Sequence, residues 1–251
     1  NIKSISGTKP QDVSFNSDQT EALFVGIDDD IYIAYLNEDE STARITRNTN
    51  NEYYSDPQFI SNDTKILYAQ RKNSSNSNLG TINIYIMDRD GKNPTQITDA
   101  DSTKKEKFIM PRMSSKEDKI IYYFKDEGMY ELNYPLQKRG SLVKKEGGAS
   151  IKPEISTNFR NMRWSPDGKK AIVWENNNII YNLYVYEKNA VTKLRHFQSN
   201  AHNASWHGDD EVIFQYKSRG GMMYRKNINL NINDDPTLLY EKKWAQLQPR
   251  Q

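Results

Sequence analysis

Apolar positions in this chain come in short bursts between polar turns. Five runs stand out: residues 22–25, 66–68, 120–123, 171–174 and 212–214, all aliphatic, β-branched or aromatic. Such runs, bounded by turn residues, are what strands prefer. Each follows a polar turn, and before that turn stands a large apolar anchor: Phe15, Phe59, Met113, Trp164 and Trp206. The run opens seven residues after the anchor in the first four copies and six after Trp206. The turn is clearest in the fourth copy, where Pro166 presets φ and Gly168 accepts a positive φ at no steric cost. Each copy therefore predicts a strand, a tight turn and a second strand.

The anchors lie 44, 54, 51 and 42 residues apart. A repeat of roughly 40–50 residues made of short strands is the sequence mark of a β-propeller, one blade per repeat. The expected fold is all-β: a single propeller domain over residues 1–251, with about five blades of four antiparallel strands. Six blades, one of them irregular, is the alternative. Phe15, Phe59, Trp164 and Trp206 are expected to be buried at equivalent places between blades.

Two segments carry a family resemblance. Residues 163–174, RWSPDGKKAIVW, look like the inner hairpin of TolB-like propeller repeats, whose usual form is W-S-P-D-G-K followed by an apolar strand. Residues 83–98, an apolar strand followed by Asp88-Arg89-Asp90-Gly91 and Lys92 to Thr98, are similar to the outer hairpin of the same repeats. The second and fourth repeats are close to the pattern, and the other three have lost its Pro and Gly. The resemblance implies an exported protein of the cell envelope or exterior that binds a protein or peptide.

Composition narrows the function. The formal net charge of +2 and pI of about 8.5 give no global field for nucleic acid. Mean hydropathy is −0.91, and nothing approaches the ~18 consecutive apolar residues of a membrane span. The 16 tyrosines suit thin blades in which an aromatic ring is buried while its hydroxyl stays wet. With no cysteine, disulfides, thiol catalysis and Cys-based metal sites are excluded. A start at Asn1 points to a trimmed chain or a removed leader.

In chain order, residues 2–5 read as a loose outer strand. Blades are expected over residues 12–46, 56–98, 110–143, 161–194 and 203–240. Residues 31–35 and 183–186 should be strands, and residues 88–91 a hairpin turn. Asp28, Asp29 and Asp30 read as a solvated strand cap, without the ligand spacing of a calcium loop. Residues 71–80 read as a mobile polar loop, and residues 138–148 as a solvated basic loop that could also meet phosphate or an acidic polymer. Residues 244–250 fall where another inner strand would begin, so the two chain ends could share ring closure.

The search for chemistry finds no Gly-x-Ser-x-Gly elbow, phosphate-cradling Gly loop or His-Glu-x-x-His. All three histidines, His196, His202 and His207, lie in one link beside Asp209 and Asp210. Some TolB-like relatives are polysaccharide lyases using His and Gln around a metal, so a metal at His202 keeps an enzyme reading open. Repeat alignment nevertheless puts His202 and His207 at opposite ends of one strand. A stronger candidate lies in the repeats. Strand residues alternate sides, so if the anchor packs between blades, the residues one and three before it face the central channel. These are Asp12 and Ser14, Asp56 and Gln58, Met110 and Arg112, Asn161 and Arg163, Asn203 and Ser205. Arg112 and Arg163 are equivalent in the repeat, and their guanidinium groups suit a carboxylate.

The expectation is a monomeric, non-catalytic binding or scaffold propeller. It would capture a protein, peptide or acidic ligand at a channel rim of Asp12, Asp56, Gln58, Arg112, Asn161, Arg163 and Asn203. No cofactor and no nucleic-acid partner are expected. The alternatives are a metal-assisted, lyase-like enzyme acting on carbohydrate and a propeller segment of a larger protein such as a peptidase.

Overall fold

A computed structural model describes residues 11–37, 41–48, 52–71, 80–125, 127–144, 162–176, 181–188, 194–216, 222–231 and 233–240. The chain is all-β, and among the described residues there is no helix. Among the described residues, twenty strands form five four-stranded antiparallel sheets, each in simple sequence order, as the blades of a five-bladed β-propeller. The first blade is β1 (Gln11–Phe15), β2 (Glu21–Val25), β3 (Ile31–Tyr35) and β4 (Thr42–Arg44). The second is β5 (Tyr53–Ile60), β6 (Lys65–Arg71), β7 (Ile82–Asp88) and β8 (Thr95–Gln96). The third is β9 (Phe108–Met113), β10 (Lys119–Phe124), β11 (Gly128–Asn133) and β12 (Ser141–Leu142). The fourth comprises β13 (Met162–Trp164), β14 (Lys170–Asn176), β15 (Tyr181–Glu187) and β16 (Leu194–Ser199). The fifth comprises β17 (Ala201–His207), β18 (Glu211–Tyr216), β19 (Met223–Asn227) and β20 (Thr237–Tyr240). Residues 2–5 and 244–250, expected as further strands, lie outside the described residues, as do most of the expected polar loop and residues 145–148 of the basic one.

The repeat register is the one the anchors predict. Phe15 pairs with Ala22, Phe59 with Ile66, Met113 with Ile120, Trp164 with Ala171 and Trp206 with Val212. The hairpin is closed the same way in three copies, where the amides of Gln19, Glu117 and Gly168 donate to the carbonyls of Asn16, Ser114 and Ser165, and one residue later in the second, where Thr64 donates to Ser61.

The chain divides into two compact units, one holding the first three blades and the other the last two. In the first, alternation splits the middle blade between two cores. Ile66, Tyr68, Tyr85 and Met87 join Leu23, Ile31 and Ile33 of the first blade, while Leu67, Ile84 and Ile86 join Phe108, Ile120 and Leu132 of the third. Burial on both faces explains why these strands read as near-continuous apolar runs. The second unit has its own core, in which Ile172, Leu183 and Val185 meet Phe197, Val212 and Phe214.

The anchors do not share one environment. Phe59 and Met113 are buried in the two cores of the first unit. Phe15 is 51% exposed, contrary to expectation. Trp206 is half-buried against the core of the second unit, and Trp164 is half-buried, edge-on to Tyr186 of its own blade at 5.6 Å.

Two loop readings are also corrected. Asp30 is a fully buried acceptor rather than a solvated cap. It takes the Thr46 hydroxyl at 2.7 Å, the Asn48 amide at 3.2 Å and the Arg44 guanidinium. The second blade repeats this clasp with Asn83 and Thr98, at 3.0 Å. In the basic loop, Arg139 is not simply solvated: it donates to the buried Glu106 carboxylate at 2.6 Å.

Candidate functional site

The first strand of each blade carries the expected site residues, and its geometry holds a feature the sequence reading missed. Among the described residues, the first strands β1, β5, β9 and β17 contain a β-bulge at one repeat position. There two residues oppose one: Asp12 and Val13 oppose Phe24, Asp56 and Pro57 oppose Tyr68, Met110 and Pro111 oppose Tyr122, and Asn203 and Ala204 oppose Phe214. Asp56, Met110 and Asn203 take the left-handed conformation, with φ of 54°, 53° and 51°. Asp and Asn tolerate that region better than most residues, and Pro57 and Pro111 fit a bulge that needs no ladder N–H. So Asp56 and Asn203, three residues before their anchors, are explained first by backbone conformation. The signal was present, since Asp12, Asp56, Asn161 and Asn203 share that position.

In the first unit the row is knitted from blade to blade. The Ser14 hydroxyl donates to the Pro57 carbonyl at 2.7 Å. Gln58 grips Met113 twice, accepting its amide at 3.0 Å and donating to its carbonyl at 3.5 Å. The Asp56 carboxylate accepts the Met110 amide at 3.2 Å and lies 3.7 Å from the Arg112 guanidinium. Another guanidinium nitrogen of Arg112 donates to the Pro111 carbonyl at 2.7 Å. Asp56 and Arg112 are only 7% and 8% exposed, so charge balance at this depth requires the pair.

In the second unit, Arg163 is exposed on β13, and its carbonyl accepts the Trp206 indole N–H at 2.8 Å. Asn203 is exposed and donates to Gln215 at 3.0 Å. Asn161 lies outside the described residues, and of Asp12 only the backbone, in β1, is described. The structure thus brings Asp56, Gln58 and Arg112 together in the first unit, and Arg163 and Asn203 belong to the second.

The histidines do not share a link. His196 belongs to β16, where its ring lies 5.2 Å from Tyr184, while His202 and His207 mark the two ends of β17. Five strand residues span about 16 Å, too far for one ion. Among the described residues no group of three His, Cys, Asp or Glu side chains could hold a metal.

No family model matches the chain, and no curated protein does. Many solved structures share its fold. TolB from Acinetobacter baumannii aligns at a TM-score of 0.60 with 14% identity, over 88% of this chain and 52% of that one. An oligogalacturonate lyase in complex with manganese aligns at 0.64 with 10% identity, over 88% of this chain and 63% of that one. A putative TolB from Agrobacterium tumefaciens aligns at 0.61 with 12% identity, over 94% of this chain and 82% of that one. This chain therefore has the fold of TolB-like propellers and spans about half of the first of these proteins. No helix among the described residues is long and apolar enough to cross a membrane.

Proposed function

We propose that the chain is a non-catalytic binding propeller of the cell envelope or exterior, a monomer that captures a carboxylate-bearing protein or peptide through its first-strand row. The observation that carries this reading is Arg163: an exposed residue on a strand whose peptide is pinned by the Trp206 indole at 2.8 Å. A fixed backbone beneath an arginine lowers the ordering cost of a carboxylate contact. The likeness to TolB agrees with binding, and the likeness to an oligogalacturonate lyase keeps the metal-assisted alternative at His202 in play.

The two readings separate in one assay. The whole chain is incubated with oligogalacturonate and manganese, and unsaturated uronate product is followed by absorbance. The binding reading expects no product above the protein-free control. Turnover that is lost in His202→Ala would replace it with the lyase reading.

A further inference from the structure

The third blade carries a pocket that the row does not use. Its volume is about 370 Å³, within the ~300–1000 Å³ of small-molecule sites. It is lined by Lys104, Lys105, Glu106, Lys107, Phe124, Lys125 and Glu127. Asp126, between two of these in sequence, lies outside the described residues.

The charges here are not balanced within the lining. Glu106 is buried and already committed, accepting Arg139 at 2.6 Å and the Asp101 amide at 2.7 Å. The Glu127 carboxylate accepts the Tyr130 hydroxyl. Glu106 is thus neutralised by Arg139 from outside the lining, which leaves four lysines around one cavity against the single carboxylate of Glu127. Lys104 lies 3.6 Å from Asp101 at an exposed position, a contact of little strength. Lys105 and Lys125 form no ion pair among the described residues.

The walls are held in place. The Glu106 amide donates to the Asp101 carbonyl, its carbonyl accepts the Ile82 amide, and the Lys125 amide donates to the Lys107 carbonyl at 2.9 Å. Lys105 is kept at a φ of 55°, an uncommon conformation for such a side chain. Phe124 is half-buried, edge-on to Phe108 at 5.0 Å and tilted against Tyr130 at 5.4 Å, so its ring gives the pocket an apolar wall.

We infer that this pocket binds a compact, multiply charged small anion, such as a phosphate or polycarboxylate group. Ammonium groups act as point charges that gather around such a centre, whereas planar forked recognition needs arginine. The pocket shares no residue with the first-strand row, so the two sites succeed or fail separately.

The test is calorimetric titration of the whole chain with pyrophosphate, with citrate and with glucose as a neutral control. Saturable one-to-one binding of either anion, with none of glucose, is expected. Tighter pyrophosphate binding identifies a phosphate ligand and tighter citrate binding a carboxylate ligand. Lys105→Gln with Lys125→Gln should weaken binding on the order of tenfold, while Lys105→Arg with Lys125→Arg and the distant Lys65→Gln keep it. Far-ultraviolet circular dichroism checks that each variant is folded. The inference is overturned if neither anion binds saturably, or if Lys65→Gln weakens binding as much as the pocket pair does.

Discussion

Glu117, at the tip of the third blade's first hairpin, holds the matching tip of the second blade: its carboxylate accepts the Ser61 hydroxyl at 2.7 Å and the Ser61 amide. One blade earlier, Asp63 holds Ser17 in the same way, through its amide at 3.0 Å and its hydroxyl. Both acids stand four residues after the anchor, where the well-formed fourth repeat has Gly168. All of these residues have positive φ: 64° at Asp63, 53° at Glu117 and 66° at Gly168. The repeats that lost their glycine thus accept backbone strain, and two of them gain a carboxylate clasp onto the preceding blade.

Gln19 tests that trade. It has the same strained φ of 61° and an exposed side chain. Gln19→Gly should stabilise the protein by up to about 1 kcal/mol by relieving the left-handed strain. Glu117→Gly relieves similar strain but loses two charge-assisted hydrogen bonds, and should destabilise by about 1–2 kcal/mol. Denaturant midpoints of the two variants should move in opposite directions. A shift of both the same way would mean that the clasp contributes nothing.

The inner knitting makes a second prediction. Gln58→Ala removes both partners of the Met113 peptide, and Met113 is 2% exposed. Leaving that amide without a partner should cost about 1–3 kcal/mol. Arg112→Ala, which removes the cation facing the buried Asp56 carboxylate, should cost about 3 kcal/mol. Urea unfolding followed by tyrosine and tryptophan fluorescence reads both, and silent substitutions would show that the row is solvated.

Much of the fold was legible in the sequence. The seven-residue offset between anchor and apolar run gave the hairpin register in four blades, and the six-residue offset gave it in the fifth. Residues 31–35 form β3 as expected, and the turn at residues 88–91 closes with the Gly91 amide donating to the Asp88 carbonyl at 2.9 Å. What failed rested on neighbours. Phe15 and Phe59 are equivalent in the repeat, yet Phe59 is buried in a core with first-blade residues while Phe15 is exposed. The site residues were placed by simple alternation, which a bulge interrupts. Asp30 and Arg139 looked like surface charges because their partners, Thr46 and Glu106, stand 16 and 33 residues away in sequence.

Acid should loosen the third blade first at Glu106. Burial works to raise this carboxyl, but the Arg139 hydrogen bond and the Asp101 amide outweigh it, so it titrates below its ordinary value of 4.5. A lowered folded pKa means that the stabilisation is full above pH 4.5 and is lost as pH falls through and below it. Glu106→Gln should therefore lower the melting temperature at neutral pH and flatten its fall between neutral pH and pH 3. A parallel downward shift across the whole range would contradict this.

At the alkaline end, burial pushes the Tyr122 phenol up to about 12, despite its acceptance of the Gly140 amide at 3.0 Å. Tyr54 and Tyr68 are raised further, again by burial. A raised folded pKa keeps its stabilisation below the ordinary value of 10.0 and loses it as pH climbs through the folded value. Phenolate absorbance should therefore titrate in two stages, with the late stage accompanying unfolding. One smooth transition near pH 10 would show these rings to be solvated.

The central claim is that an exposed arginine on a pinned strand captures a carboxylate. Its most direct measurement is calorimetry with matched peptides, a free C-terminal acid and its amide, against the native chain and Arg163→Ala. The native chain should prefer the acid, and Arg163→Ala should remove the preference at a cost of about 2 kcal/mol or more while leaving the melting temperature within about 1 kcal/mol of stability. Equal binding of acid and amide by the native chain, or a preference that survives in Arg163→Ala, would contradict it.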